Sequence, residues 1–204
     1  KILSYNEPGR FEHAGAAGGF IDSYGYPFCR GRIMNVAEKD EGQYDDACKL
    51  FWASGACMII RSTAWEKAGG FDEDFFAHME EIDLCWRMNS MGMKVMYIPG
   101  SVVYHIGGGT LSYGSPVKVY YNFRNNLYML FKNLPGKTLR KTLFRRKLLD
   151  GIAAIMFLVT LRFKPFANII KAHLHYYRNK KTLLLKRNKV QAAAIEYPDD
   201  VILN

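Results

Sequence analysis

Residues 69–91 restrict the fold of this chain more than any other stretch. Gly69-Gly70 is a natural end for a helix begun by Ser62-Thr63-Ala64-Trp65-Glu66, where Thr63 and Glu66 stand at capping-box spacing. After Phe71-Asp72-Glu73-Asp74-Phe75-Phe76 the pattern predicts a second helix from Glu80 to Met91, ended by Gly92, with Leu84, Trp86, Met88 and Met91 buried. Lys94 to Ile98 and Val102 to His105 read as short strands broken by Pro99-Gly100.

On either side the signals differ. Residues 1–45, rich in glycine and aromatics, read mostly as loop, and the apolar run 51–60 reads as a buried strand. Ser115-Pro116 is an N-cap followed by a proline at the first helical position, so a helix is expected from Pro116 to about Asn133. Two more are expected at about 137–162 and 165–187, separated near Lys164-Pro165. Leu148 to Leu161 is strongly apolar but contains Asp150, and it falls short of the roughly 20 residues of a membrane span. With Arg145-Arg146-Lys147 and Arg162-Lys164 on its flanks it suits a helix at a bilayer surface, or one packed on the protein with a basic solvated face.

Charge divides the chain in two. Residues 1–117 carry 10 Lys/Arg and 15 Asp/Glu, whereas residues 118–204 carry 18 and 4. An acidic chemical part and a basic part that meets something anionic are the expectation. Basic residues interleaved with Tyr120, Tyr121, Phe123, Tyr176 and Tyr177 raise nucleic-acid binding as a rival, but they lie along apolar helices without a recognised binding motif. Cys29, Cys48, Cys57 and Cys85 include no CxxC pair, which excludes a zinc ribbon and a dithiol motif; buried free thiols in a reducing compartment are expected. The chain starts at Lys1 in mid-pattern and is read as part of a longer protein.

Chemistry centres on Glu80, Glu81 and Asp83. Carboxylates in a first helical turn are favoured by the dipole; carboxylates this close also raise one another's pKa, as a general base near neutral pH requires. His105, 22 residues after Asp83, leads into Gly107-Gly108-Gly109-Thr110, whose amides suit a phosphate, a hinge or a plain turn. The histidine is open to a structural or a ligating role. Asp45-Asp46 reads as solvated loop.

In order and spacing, several segments resemble the C-terminal half of a family 2 glycosyltransferase, over about residues 1–135. They are Trp52-Ala53-Ser54-Gly55-Ala56, Arg61, Gly69 to Phe76, Glu80-Glu81-Ile82-Asp83-Leu84-Cys85-Trp86-Arg87, and Pro99 through His105 to Gly109. That resemblance implies an α/β fold: the C-terminal part of a GT-A (Rossmann-like) domain, residues 1–135, followed by a basic helical tail, residues 136–204. It implies an inverting transferase that moves a sugar from a nucleotide-sugar donor to a glycan or lipid-linked acceptor, in bacterial cell-wall or polysaccharide synthesis. Glu81 would be the catalytic base, at a position where the family usually has Asp. Asp72, Glu80, Asp83 and Trp86 would serve the acceptor, and Ser54, Gly55 and Arg87 the donor. His105 would ligate a divalent cation, Mg2+ or Mn2+. The expected setting is cytoplasmic, peripheral at an anionic membrane surface, without nucleic acid. Most of the donor site would lie upstream of Lys1, leaving this stretch weakly active or inactive alone. A non-catalytic scaffold remnant of such a transferase is the alternative.

Overall fold

The computed structural model describes residues 1–34, 36–107, 115–198 and, for the backbone, 202–203. From Gly108 onward the glycine run and Thr110 lie outside the described residues.

The glycine-rich opening folds into short strands rather than loop. They are β1 (Ile2–Ser4), β2 (Gly19–Asp22), β3 (Pro27–Cys29), β4 (Arg32–Ile33) and β5 (Val36–Ala37). Asp22 accepts from the amides of Tyr24 and Tyr26 at 2.9 and 2.8 Å, fixing the turn between β2 and β3. Gly19 is required sterically, because a Cβ there would stand 2.2 Å from the Trp52 ring, whose Nε1 donates to the Phe20 carbonyl at 2.9 Å.

The strand expected at 51–60 lies earlier, as β6 (Cys48–Leu50). At Ser54 the chain turns, with the hydroxyl accepting from the Ala56 amide and the carbonyl from the Cys57 amide. This local bonding competes with a ladder and leaves 51–60 irregular. Next come α1 (Ser62–Ala68), a 3-10 turn (Glu73–Phe75), α2 (Glu80–Ser90), β7 (Val95–Tyr97) and β8 (Val103–His105). Helix α1 begins at Arg61 without a side-chain cap, so Thr63 and Glu66 form no capping box. Gly69 closes it in the left-handed region at φ 78°, as the glycine pair predicts. β1 runs parallel to β8, and β6 antiparallel to β7.

Four helices complete the chain: α3 (Pro116–Asn133), α4 (Gly136–Val159), α5 (Phe163–Arg178) and α6 (Lys180–Ala193). Ser115 caps α3 by accepting from the Lys118 amide at 3.2 Å, with Pro116 opening the helix. The single helix expected over 165–187 is two, divided at Asn179. Pro165 sits in the first turn of α5, where its missing N–H costs nothing. β9 (Ile202–Leu203) pairs parallel with β2. Helix α3 is the central strut, packed against α2, α4, α5 and α6. Its Leu127, Tyr128, Met129 and Leu130 enter one core with Phe51, Trp86 and Ile21. Cys29 and Cys85 are buried free thiols; Cys48 and Cys57 are free and half-buried. No helix among the described residues is long and apolar enough to cross a membrane.

Candidate active site

The loop that delivers α2 is forced into shape. Phe76, His78 and Met79 hold φ values of 45°, 67° and 73°, three non-glycine residues in conformations that each cost on the order of 1 kcal/mol or more. The fully buried Asn125 of α3 holds this geometry. Its amide nitrogen shares two hydrogens among the carbonyls of Phe75, Ala77 and His78, at 2.9, 2.8 and 2.7 Å. Arg124 donates to the Asp74 carbonyl at 2.6 Å. Strained backbone so firmly over-determined is typical of a site that must present one side chain accurately.

The loop leads directly into Glu80 and Glu81, the first residues of α2. Burial pushes the Glu81 carboxyl up to about 7, aided by the negative charge of Glu80, and one oxygen is buried without a partner among the described residues. Glu80 is raised by burial too, with an oxygen in the same condition. A carboxyl poised near neutrality with one unpaired oxygen can take a proton from a bound hydroxyl.

Glu81 shares a face of α2 with Cys85, one turn later, whose Sγ accepts from the Ala53 amide at 3.5 Å. The segment leading to Ser54 and Gly55 therefore lies against this face. Ser54 is buried beside Gly15, where a Cβ on the glycine would come within 2.5 Å of the serine Cβ, and Gly55 is exposed with open space about it. The Cys29 thiol, pushed up to about 12 mainly by burial, feels Arg32, Glu81 and Glu12 together. Glu81, Arg32 and Glu12 thus lie within electrostatic reach of one thiol.

Glu12 links this region to His105. Its backbone amide donates to Ile2 of β1, which pairs with β8, and its Oε2 lies 3.1 Å from Nδ1 of the half-exposed His105. Lys118, lowered by burial and then by Arg32, is also within reach of Glu12, and its charge in turn depresses His78 after burial has done so. Sequence patterns gave no sign of Glu12, Arg32, Lys118 or Asn125. The one available hint was an acid beside a histidine, Glu12-His13, inside a glycine-rich stretch.

Other expected contact residues are placed differently. Asp83, 0% exposed, is bound by Arg87, Lys132 and Asn133 at 3.0, 3.0 and 2.8 Å. Arg87 is buried too, and its guanidinium also holds the Ala68 and Gly70 carbonyls, clamping the glycine corner after α1. Trp86 is enclosed against Phe51 with ring centroids 5.0 Å apart. These three were expected at the acceptor or donor; they are instead core groups with almost no surface for a substrate. Asp72 is bound by Lys132 and by Lys186 of α6, the latter at 2.6 Å. Burial works to raise its carboxyl, but the two ammonium groups outweigh it and hold the group near 2.

As for a cation, no three His, Cys, Asp or Glu side chains gather among the described residues. His105 and Glu12 are a hydrogen-bonded pair, fewer donors than a resident Mg2+ or Mn2+ takes. The described residues do not build a cation site by themselves.

Comparison with known proteins gives this geometry a context. Over 79 residues the chain is 41% identical to an N-acetylglucosaminyl-diphospho-decaprenol L-rhamnosyltransferase of Mycobacterium tuberculosis, covering 39% of this chain and 26% of that protein. Over 65 residues it is 33% identical to the rhamnosyltransferase WbbL of Escherichia coli, covering 32% and 24%. Over 128 residues it is 31% identical to the dTDP-rhamnosyl transferase RfbF of Shigella flexneri, covering 56% and 43%. This chain is a relative of the family 2 glycosyltransferases. It spans between 24% and 43% of those proteins' lengths. No family model matches the chain, and no solved structure matches it.

Proposed function

We propose that the protein to which this chain belongs transfers a sugar, of rhamnosyl type, from a nucleotide-sugar to a hydroxyl of a glycan or lipid-linked acceptor, with inversion at the anomeric carbon. Residues 1–135 then form the acceptor side of a GT-A domain and residues 136–204 a helical tail that braces it. Glu81 takes the acceptor proton as the acceptor oxygen bonds to the anomeric carbon, and the bond from that carbon to the diphosphate oxygen breaks with its electron pair. Glu80 keeps Glu81 basic and orients the acceptor. Ser54-Gly55 faces the donor, and Arg32, Lys118 and His105 offer positive or hydrogen-bonding groups to its phosphates.

A single observation carries this reading. The Glu81 carboxyl is enclosed, lacks a partner for one oxygen, and is held near 7 at the end of a strained and tightly clamped loop. A carboxylate that only decorated the first turn of a helix would be solvated, with an ordinary pKa. The test is Glu81→Gln in the full-length protein. Turnover is expected to fall by about 10²-fold or more with nucleotide-sugar affinity retained. Unchanged turnover would remove Glu81 from the role.

A further inference from the structure

Between Lys118 and Ile195 the sequence holds 18 Lys/Arg and one acidic residue, Asp150. Asp150 interrupts the most apolar run of the chain, yet it does not reach the surface. It is 1% exposed, facing inward from α4 to accept from Arg146 Nε at 2.8 Å and to meet Nε2 of His173 on α5 at 3.0 Å. The outer surface of α3 to α6 therefore carries no carboxylate.

With Asp150 turned in, the opposite face of α4 is an unbroken apolar stripe. Phe144, Leu148, Ile152, Ile155 and Val159 follow one another at helical spacing, and Phe144, Ile155 and Val159 are 70%, 60% and 75% exposed. Lys137 and Lys141 precede the stripe and Arg145 flanks its start, all exposed, and Arg162 and Lys164 follow it. At the corner into α5, Leu161 sits at a φ of 58° with its side chain exposed, next to the exposed Phe163. Soluble surfaces rarely leave so many large apolar side chains together unless something covers them.

We propose that this face of α4, with the corner into α5, docks in the plane of an anionic lipid bilayer. The apolar stripe would sink to the boundary between headgroups and acyl chains, and the flanking Lys and Arg would meet lipid phosphates. Charge selects this occupant. A second copy would bring one carboxylate-free basic surface against another, which repels. Single-stranded nucleic acid stacks on aromatic rings, and this stripe is mainly aliphatic. The helix has 24 residues, but its apolar run is too short and its first half too basic to span the bilayer, and it would lie along the surface instead. Such a surface would bring the Glu81 region to acceptors held in a membrane. The docking itself does not depend on the sugar-transfer reading.

Flotation of the chain with vesicles of phosphatidylcholine and phosphatidylglycerol in a two-to-one ratio, against phosphatidylcholine alone, tests this. The wild type is expected to float with the anionic vesicles and stay behind with the neutral ones. Ile152→Glu/Ile155→Glu/Val159→Glu, all at exposed positions, is expected to weaken binding by about tenfold or more with its circular dichroism unchanged. Lys137→Glu/Lys141→Glu/Arg145→Glu provides a second variant that leaves the apolar side chains intact, and it should lose the preference for anionic vesicles. Glu81→Gln should float like the wild type, which separates this proposal from the catalytic one. Absence of flotation at low salt, or equal flotation of all variants, overturns it. A dimer by light scattering that dissociates in the Ile152→Glu/Ile155→Glu/Val159→Glu variant also overturns it, assigning the face to a second copy.

Discussion

The ammonium of Lys186 on α6 lies 2.6 Å from Oδ1 of Asp72, joining residues 114 positions apart. The same lysine bonds Asp74, so the last long helix is fastened to the loop that leads to Glu80 and Glu81. Lys132 sits deeper, 1% exposed, between Asp72 and Asp83.

The two lysines should differ sharply on removal. Lys132→Met leaves the buried Asp83 and Asp72 short of a positive partner and is expected to cost about 3–5 kcal/mol. Lys186 is partly exposed, and Lys186→Met is expected to cost only about 1 kcal/mol. Urea denaturation followed by circular dichroism measures both; equal losses would mean that Lys132 is not the keystone of the network.

Acid should dismantle this network first. The Asp72 carboxyl is held near 2, below its value of about 4 in an unfolded chain. A depressed carboxylate contributes stability that is full above the unfolded value and is lost as pH falls through the folded one. Stability is therefore expected to drop between about pH 4 and pH 2, and the drop should be shallower in Asp72→Asn. Melting temperature as a function of pH checks this.

Glu81 has the opposite sign. Its folded value of about 7 exceeds the unfolded one, so its stabilising contribution is full in acid and is lost as pH rises through 7. Glu81→Gln should then be more stable than wild type at pH 8, by roughly 3 kcal/mol, and equal to it near pH 4. An inactive but stabilised variant is the signature of a group kept for function at a cost to the fold.

The rate profile offers an independent check. Turnover by the full-length enzyme should rise as pH passes through about 7, where the base loses its proton. Glu80→Gln removes the neighbouring negative charge and should move the rise to lower pH. Burial is the larger cause of the shift, so the move should be partial. An unmoved profile would show that Glu80 does not act on Glu81.

Calorimetric titration of this chain with Mn2+ and deoxythymidine diphosphate should show no tight complex, because no third ligand joins His105 and Glu12 among the described residues. Tight binding that His105→Ala abolishes would reverse that reading.

What the sequence disclosed follows the range of each interaction. Gly69 and Ser115-Pro116 act within one turn of themselves, and the helix ends they predicted are present. Thr63 and Glu66 satisfied a spacing rule, but Arg61 starts the helix and the box never forms. The short strands of the first 45 residues depend on distant partners, as β1 does on β8, and carry too few residues for a period to register. The site suffered most from distance. Glu12 meets His105 across 93 positions, and Asn125 reaches back 47 to 50 positions to shape the loop before α2. Asp83, Trp86 and Arg87 stood in the right motif, yet the fold had already used them inside. A motif shows which residues travel together, not which of them face the cleft.

Positions 76, 78 and 79 are held in shapes that glycine adopts without penalty. Drift toward glycine at position 76, whose side chain is largely exposed, would relax the segment and make the molecule harder to melt, while loosening its grip on the carboxyl it delivers. Directed selection for thermal endurance alone should therefore find glycine there readily, and return a sturdier protein with slower chemistry.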